Sequence, residues 1–253
     1  VGQKLLFAFD GKDVLPPEIV NAFKSYYPSG ITYFRSLNME SAVQIKSLSQ
    51  ALQDLASELG LPPLLIATDQ EGGQLMAFGD GTPLPGNMAL GATRSAELAR
   101  KAGEVLGREM AALGINVNYA PSADVNINPQ NPVVGVRSFG EDPMLVGELT
   151  AALIEGIQSQ GVAATVKHFP GHGDTTSDSH HGLGTVAHSR ARLDTVELPP
   201  FRSALRADVK LVMTAHLGIT SIDGDTPPPA TLSPNIINGL LRRDLGFDGV
   251  VIT

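Results

Sequence analysis

Residues 162–182 read VAATVKHFPGHGDTTSDSHHG, and this stretch decides how the rest of the chain is interpreted. Its first five residues are apolar or β-branched, which is typical of a buried strand. The remainder holds four of the six histidines of the chain, two aspartates and a lysine, interrupted by glycines and a proline. A strand that carries titratable side chains into a loop is a common arrangement of active sites on α/β scaffolds.

The same strand pattern recurs along the chain. Short apolar runs predict seven strands, at 4–10, 30–34, 64–69, 115–120, 162–169, 209–216 and 249–253. Helical periodicity and end signals predict helices between them, at 16–27, 41–59, 95–113, 144–160, 190–207 and 233–245. Strands that alternate with helices indicate βαβ units and a parallel sheet. An open doubly wound sheet and a closed barrel both fit this alternation.

Polar residues at the strand ends favour the barrel. Asp69, residues 121–124, Lys167, His168 and His216 all follow or end predicted strands. Side chains gathered from several strand ends form the active face of a (β/α)₈ barrel, and no GxGxxG motif follows the first strand. We therefore predict an α/β fold of the (β/α)₈ TIM type, with residues 1–253 as a single domain. Since the chain stops within strand seven, we expect this barrel domain to be incomplete at its C-terminal end.

Composition limits the classes of partner. Of the 253 residues 42% are apolar and 17% charged, and the net charge is −8. That charge argues against a nucleic-acid surface, which needs basic patches. No apolar run approaches the length of a transmembrane helix, so no membrane partner is expected. The absence of cysteine removes thiolate chemistry but does not decide between a cytoplasmic and an exported protein, and oligomeric state is not predicted.

Two pairs of residues in the central stretch suggest chemistry. Asp178 and His180 are one residue apart, and a carboxylate that orients a histidine makes an acid/base pair near neutral pH. A salt-bridged histidine on a surface loop fits the same spacing. Lys167 and His168 end the strand, where they can hold sugar or carboxylate oxygens. Lys167 can equally pair with an aspartate of a neighbouring strand, and His216 fits a supporting role better than a catalytic one.

The histidine-rich stretch also permits a metal site. Zinc accepts histidine and aspartate ligands, and the candidates are His172, Asp174, Asp178, His180 and His181. Their spacing matches no specific metal motif, so the preferred interpretation has no metal and no cofactor. A metal-dependent barrel hydrolase remains an alternative.

Two further stretches contain candidate binding residues. Asp69 and Glu71 precede a pair of glycines, which allow a ligand to approach the backbone closely. A tight strand-to-helix turn with solvated acids fits this stretch as well. Arg137 lies in a loop, where its guanidinium can hold sugar hydroxyls or form a structural pair with Glu141 or Asp142.

These motifs together resemble the N-terminal barrel domain of glycoside hydrolase family 3, in its β-N-acetylhexosaminidase branch. The resemblance runs nearly end to end and is carried by Val1 to Gln3, the DQEGG turn Asp69 to Gly73, the arginine loop Asn131 to Pro143, the KHFPGHGDT…DSH signature Lys167 to His181, and the GFDGVVIT run Gly246 to Thr253. It implies retaining hydrolysis of a terminal β-linked N-acetylglucosamine, from muropeptide or chitin fragments, in cell-wall recycling or carbohydrate metabolism.

The resemblance also implies residue roles. Asp69, Arg137, Lys167 and His168 would bind the hydroxyls of the terminal sugar. His180, oriented by Asp178, would be the acid and base.

The family's nucleophile is an aspartate directly after the GVVIT run, so it is expected just after Thr253. A non-catalytic sugar-binding fragment is therefore a second alternative. The chain also departs from many relatives at Gln74 to Ala77, where they carry arginines, and this weakens a muropeptide preference.

Overall fold

The computed structural model describes residues 1–176 and 184–253. Over these residues the chain forms eleven strands: β1 (Leu6–Phe7), β2 (Gly30–Thr32), β3 (Leu65–Thr68), β4 (Gln70–Gly72), β5 (Leu75–Met76), β6 (Val117–Asn118), β7 (Ala163–Phe169), β8 (Gly184–Val186), β9 (Leu211–Thr214), β10 (Leu217–Ile219) and β11 (Val250–Ile252). The α-helices in the same residues are α1 (Pro17–Tyr26), α2 (Arg35–Asn38), α3 (Ala42–Glu58), α4 (Asn87–Thr93), α5 (Ala96–Ala112), α6 (Pro143–Gln158), α7 (Arg190–Arg192), α8 (Leu198–Arg206) and α9 (Thr220–Asp223).

Seven strands form one parallel sheet in the order β1-β2-β3-β6-β7-β9-β11. Each strand pairs with the member of the sheet that precedes it in the chain. A doubly wound sheet would reverse this order at its switch point, so that alternative is wrong. All seven predicted strands are present inside their predicted ranges, and the barrel-type winding is confirmed.

The sheet separates two apolar clusters. The larger one lies between the sheet and the helices and includes Phe23, Leu52, Leu153 and Phe201, each fully or almost fully buried. The smaller one consists of Ala67, Val117, Tyr119 and Leu211, with Leu65, Ala163, Met213 and Ile252 packed against them. Since successive strand residues point to opposite faces, an outer and an inner cluster are what a curled sheet with helices outside requires.

The long helices begin where the sequence places capping residues. Ser41 and Ser95 each accept a hydrogen bond from a backbone N–H of the first turn, of α3 and α5 respectively. Asp142 does the same for α6, with Pro143 at the first helical position. In the part of the chain that the structure describes, no helix combines the length and apolarity needed to span a bilayer.

Two predicted helices have π-helical segments, at Leu193–Glu197 and Asn235–Asp244. The first follows from the sequence, because Pro199 and Pro200 have no N–H to donate to the carbonyls four residues earlier. The helix predicted over 190–207 is therefore split into α7, a π turn and α8.

Two small sheets lie at the ends of the barrel strands. β4 and β5 pair antiparallel directly after β3, so the residues after Asp69 form a hairpin and not the strand-to-helix turn considered above. β8 and β10 pair in parallel, with Gly184 opposite Leu217.

Candidate active site

The carboxyl ends of the barrel strands surround a cavity of about 690 Å³. Its wall is contributed by strand ends that are far apart in sequence: Leu6, Phe7, Ala8, Thr32, Phe34, Asp69, Leu75, Tyr119, Val133, Arg137, Lys167, His168, His172, Met213, Thr214, Ala215, His216, Ile252 and Thr253. The four predicted sugar-binding residues, Asp69, Arg137, Lys167 and His168, are all among them. The size falls within the range of roughly 300–1,000 Å³ that is common for small-molecule sites.

Lys167 and His168 both face this cavity although they are consecutive in a strand. The ladder between β7 and β9 is irregular between Val166 and Phe169, so the strict alternation of side chains is broken there. The local irregularity allows one strand to contribute two neighbouring side chains to the cavity.

A buried ion network fixes Lys167 and Arg137. The Lys167 ammonium donates to Asp69 Oδ1 at 2.6 Å and lies 2.7 Å from Glu71 Oε1. Arg137 donates to both oxygens of Glu71, from Nε to Oε2 at 2.9 Å and from Nη2 to Oε1 at 2.6 Å. Only 2% of the Glu71 and Lys167 side chains is exposed, so Glu71 is a buried anion between two cations.

The charge of Glu71 is stabilised by its partners. Burial alone would raise the pKa of Glu71, but the positive charges of Lys167 and Arg137 and their hydrogen bonds lower that pKa to about 2. Glu71 is thus ionised at neutral pH and holds both cations in fixed orientations. The Asp69 side chain is 33% exposed and lies in the cavity wall.

These contacts test the purely structural roles that the sequence allowed for Lys167, Arg137 and Glu71. Lys167 does pair with an aspartate, but Asp69 follows β3, which is separated from β7 by β6, and Lys167 remains in the cavity wall. Arg137 pairs with Glu71 and makes no ion pair with Glu141 or Asp142 among the contacts of the described residues. The interpretation of this turn as solvated acids is wrong for Glu71, which is buried.

Asp124 orients His168 from below the cavity. Its Oδ2 lies 2.7 Å from His168 Nδ1 and accepts a hydrogen bond from Ser122, while Oδ1 accepts from the backbone N–H of His172 at 2.7 Å. Burial would raise the pKa of Asp124, but the charge and hydrogen bond of His168 hold it well below its usual range. Burial lowers the pKa of His168 and outweighs the opposing effect of Asp124. At neutral pH the ring is therefore neutral, with Nδ1 as the donor to Asp124 and Nε2 as an acceptor.

The sequence did not predict the roles of Glu71 and Asp124, although Glu71 was named beside the glycine pair and Asp124 lies in the strand end at residues 121–124. Their partners are distant in the chain, since Glu71 pairs with residues 66 and 96 positions later and Asp124 with one 44 positions later. The available signal was the position of both acids shortly after predicted strands.

The predicted acid/base pair, Asp178 and His180, lies outside the described residues. The chain before it is attached to the cavity wall: the amide of Asn131 donates to the carbonyl of His172 at 2.8 Å, and that of Asn128 to the carbonyl of Thr175 at 3.0 Å. The chain after it continues into β8.

His216 lies at the rim of the cavity. Its Nδ1 is 3.0 Å from the hydroxyl of Thr231, which is in turn 3.2 Å from the hydroxyl of Thr253. Thr253 follows β11 directly, so this strand also ends at the cavity.

Of the five candidate metal ligands, His172 and Asp174 lie in the described residues. There, the side chains close enough to hold one metal ion are Asp174, His188 and Glu197, a set that shares only Asp174 with the predicted ligands.

The sequence and the fold both match proteins of one family. A family model for the glycosyl hydrolase family 3 N terminal domain matches residues 15–253. The chain belongs to glycosyl hydrolase family 3. Among solved structures, this family 3 chain is similar to a family 3 beta-N-acetylglucosaminidase from Paenibacillus sp. str. FPU-7, with a TM-score of 0.95 and 50% identity over 99% of this chain and 47% of that one. The TIM-type barrel assignment is confirmed by this likeness.

Two further proteins are similar to this chain over most of its length. Beta-hexosaminidase A of Pseudoalteromonas piscicida is 40% identical over 94% of the family 3 chain and 42% of its own length. NagZ of Neisseria gonorrhoeae, solved in complex with N-trifluoroacetyl-D-glucosamine, has a TM-score of 0.88 and 32% identity over 99% of this chain and 74% of its own. The family 3 chain spans less than half the length of the Paenibacillus and Pseudoalteromonas proteins.

Proposed function

We propose that this barrel belongs to a retaining exo-β-N-acetylglucosaminidase that removes terminal β-linked N-acetylglucosamine from chitin or muropeptide fragments. The observation that carries the proposal is the buried network of Asp69, Glu71, Arg137 and Lys167 beneath the cavity. Relatives named beta-hexosaminidase or beta-N-acetylglucosaminidase support the same activity.

The network suits recognition of a neutral, hydroxyl-rich ligand. Lys167 and Arg137 are neutralised by the two acids, so the cavity does not present a strong excess of one charge. Charge-assisted hydrogen bonds from fixed donors are short and directional. Asp69 and His168 Nε2 add acceptors, so sugar hydroxyls meet both donors and acceptors held before binding.

The bond-breaking step requires an acid and a nucleophile. We assign the acid and base to His180 with Asp178 as its orienting carboxylate, and the nucleophile to a carboxylate that follows Thr253. The position of Thr253 in the cavity wall supports the second assignment, because a residue joined to it would begin at the same face. In a double displacement this carboxylate forms a glycosyl-enzyme, and the acid then activates water as a base.

The test is hydrolysis by the natural full-length protein, whose intact mass is measured first and compared with the 26.5 kDa of residues 1–253. We expect release of N-acetylglucosamine from N,N′-diacetylchitobiose, with the β-anomer formed first in a proton NMR time course. Formation of the α-anomer first would contradict the double displacement. Binding of N-acetylglucosamine without turnover would favour the sugar-binding module.

The role of His180 is tested by leaving-group dependence. General acid catalysis contributes about 10²–10⁴-fold, and a leaving group that departs without a proton does not need it. We expect His180→Ala to lower kcat/KM on chitobiose by about that factor and to lower kcat/KM on 4-nitrophenyl N-acetyl-β-glucosaminide far less. Equal slowing of both substrates would exclude His180 as the acid.

A further inference from the structure

Four charged or titratable side chains outside the sugar cavity meet on either side of residues 177–183. They are Asp174, His188, Arg192 and Glu197, which we call the charged tetrad. Arg192 Nη2 lies 3.1 Å from Asp174 Oδ2 and 3.1 Å from Glu197 Oε1. His188 Nε2 lies 2.9 Å from Asp174 Oδ2 and 4.0 Å from Glu197 Oε1. Asp174 precedes residues 177–183 and the other three follow them, so the tetrad joins the two flanks.

Each flank has its own attachment to the barrel. Before the tetrad, a Cβ on Gly173 would lie 1.9 Å from the carbonyl oxygen of Val125, so backbone packs directly on backbone there. After residues 177–183, β8 is held by its ladder with β10. The tetrad adds a connection between two stretches that are otherwise attached to different parts of the fold.

Glu197 is the most buried member, at 4% exposure. It sits at the end of the π turn that precedes Pro199, and its Cβ lies 2.9 Å from where a Cβ on Gly171 would be. Among the described residues, neither carboxylate oxygen has a hydrogen-bond partner of good geometry. Burial raises the pKa of Glu197, against the opposing charges of Arg192 and His188. The nearby guanidinium is therefore the main group that compensates this buried acid.

Arg192 occupies the centre of the tetrad. A metal ion held by Asp174, His188 and Glu197 would have to displace the guanidinium, which already contacts both carboxylates. Its Nη2 donates a well-formed hydrogen bond to Asp174. One cationic side chain thus binds an acid from each flank.

We propose that Arg192 is a positioning residue for the acid/base pair. By tying Asp174 to Glu197 it links the chain four residues before Asp178 to the chain seventeen residues after His180. The proposal rests on the assigned role of His180. It requires no contact between Arg192 and substrate, so its effect is on proton delivery to the leaving group and not on sugar binding.

The experiment compares Arg192→Ala with Arg190→Ala in the natural full-length protein. Arg190 is a matched control on α7, because its ion pairs in the described residues are with Asp194 and Asp244, which are outside the tetrad. We expect Arg192→Ala to lower kcat/KM on N,N′-diacetylchitobiose, which reports formation of the glycosyl-enzyme, by about 10- to 100-fold, part of the factor that an acid supplies. kcat/KM on 4-nitrophenyl N-acetyl-β-glucosaminide and the KM for chitobiose should change less than about threefold. Arg192→Lys should restore part of the loss, and Arg190→Ala should match the wild type on both substrates.

Each other outcome has a defined meaning. Equal loss on both substrates, or a lowered melting temperature with unchanged leaving-group dependence, would show that the tetrad is structural only and would overturn the proposal. Zinc could also raise the melting temperature of the wild type, with a larger rise in Arg192→Ala and none in Asp174→Asn. That result would show that the tetrad is a metal site and would overturn the proposal.

If Arg192→Ala does not fold, Arg192→Lys must show the same selective loss at smaller amplitude, and its absence overturns the proposal. Selective loss in His180→Ala but not in the Arg192 variants rejects this inference alone, whereas no selectivity in His180→Ala rejects the proposed function.

Discussion

Glu71 contacts both cations of the cavity wall. It is buried between Lys167 and Arg137 and receives hydrogen bonds from both. Removing one member of a buried ion pair leaves an uncompensated charge, which is more costly than the pair was favourable.

We therefore expect Glu71→Gln to lower the free energy of unfolding by about 3–5 kcal/mol and to weaken binding of N-acetylglucosamine. Urea denaturation and calorimetric titration measure the two effects. Glu97→Gln is the control, because Glu97 forms an exposed pair with Lys101 on α5 and should change neither quantity measurably. An effect of similar size at both positions would show that the burial of Glu71 does not matter.

Stability should also fall in acid, because the pKa values of Glu71, Asp124 and His168 are lowered in the folded protein. The pKa of Glu71 is lowered from 4.5 to about 2, so its contribution is complete above pH 4.5 and is lost as the pH falls towards 2. Asp124, whose pKa is also lowered, acts in the same direction. The pKa of the His168 ring is lower in the folded protein than the 6.5 of the unfolded chain. As the pH falls below 6.5 the unfolded chain is therefore protonated before the folded one, and stability begins to fall.

The measurement is the unfolding free energy between pH 7 and pH 2. The wild type should lose stability throughout this acid range, and His168→Gln should remove the part of the loss that begins near pH 6.5. A stability that is flat between pH 7 and pH 5 in the wild type would contradict the neutral, buried ring.

At the scale of elements, the pairing of α5 with α6 depends on two small residues. A Cβ on Gly156 would lie 2.2 Å from the carbonyl oxygen of Arg100, and one on Gly103 would lie 2.4 Å from that of Leu153. The backbones of these two helices are therefore in direct contact, and no side-chain movement can make room there.

Gly156→Ala should destabilise the fold by roughly 1–3 kcal/mol through overpacking, although alanine favours helix. Gly239→Ala is the matched control, since only the flexible end of Arg243, at 3.5 Å, lies near its Cβ position. That variant should be neutral or more stable by up to about 1 kcal/mol. Thermal unfolding distinguishes them, and a stable Gly156→Ala would show that the helices can separate without cost.

Sequence patterns located the seven strands of the main sheet because each is a short apolar run with clear limits, whereas the strands of the two small sheets were not predicted. The helices were less well predicted: α4 at Asn87–Thr93 was missed, and the π segments were read as ordinary helix. The spacing of apolar residues does not show whether a backbone N–H bonds to the carbonyl four or five residues earlier. Likewise, Asp69, Arg137, Lys167 and His168 could be found from motifs, but the acids that hold them, Glu71 and Asp124, depend on contacts that only the folded sheet creates.

At the scale of the molecule, the proposed chemistry uses side chains alone. The acids and bases assigned to the reaction are a histidine and carboxylates, and the cations in the cavity wall are Lys167 and Arg137. We expect hydrolysis of N,N′-diacetylchitobiose to be unchanged by dialysis against EDTA, with a zinc-dependent hydrolase assayed in parallel to show that the chelator works. Loss of activity that zinc restores would favour the metal-dependent alternative.

The order of the strands has a consequence for how the protein is made. Because every strand of the main sheet pairs with its predecessor, each one emerges from the ribosome after its partner and the sheet can grow from the N-terminus in step with synthesis. The ion network forms late in that order. Asp69 and Glu71 are made about a hundred residues before Lys167, so the two acids remain in water until the strand that carries their cation is added. The nascent sheet acquires its binding cavity only when that fifth strand joins it.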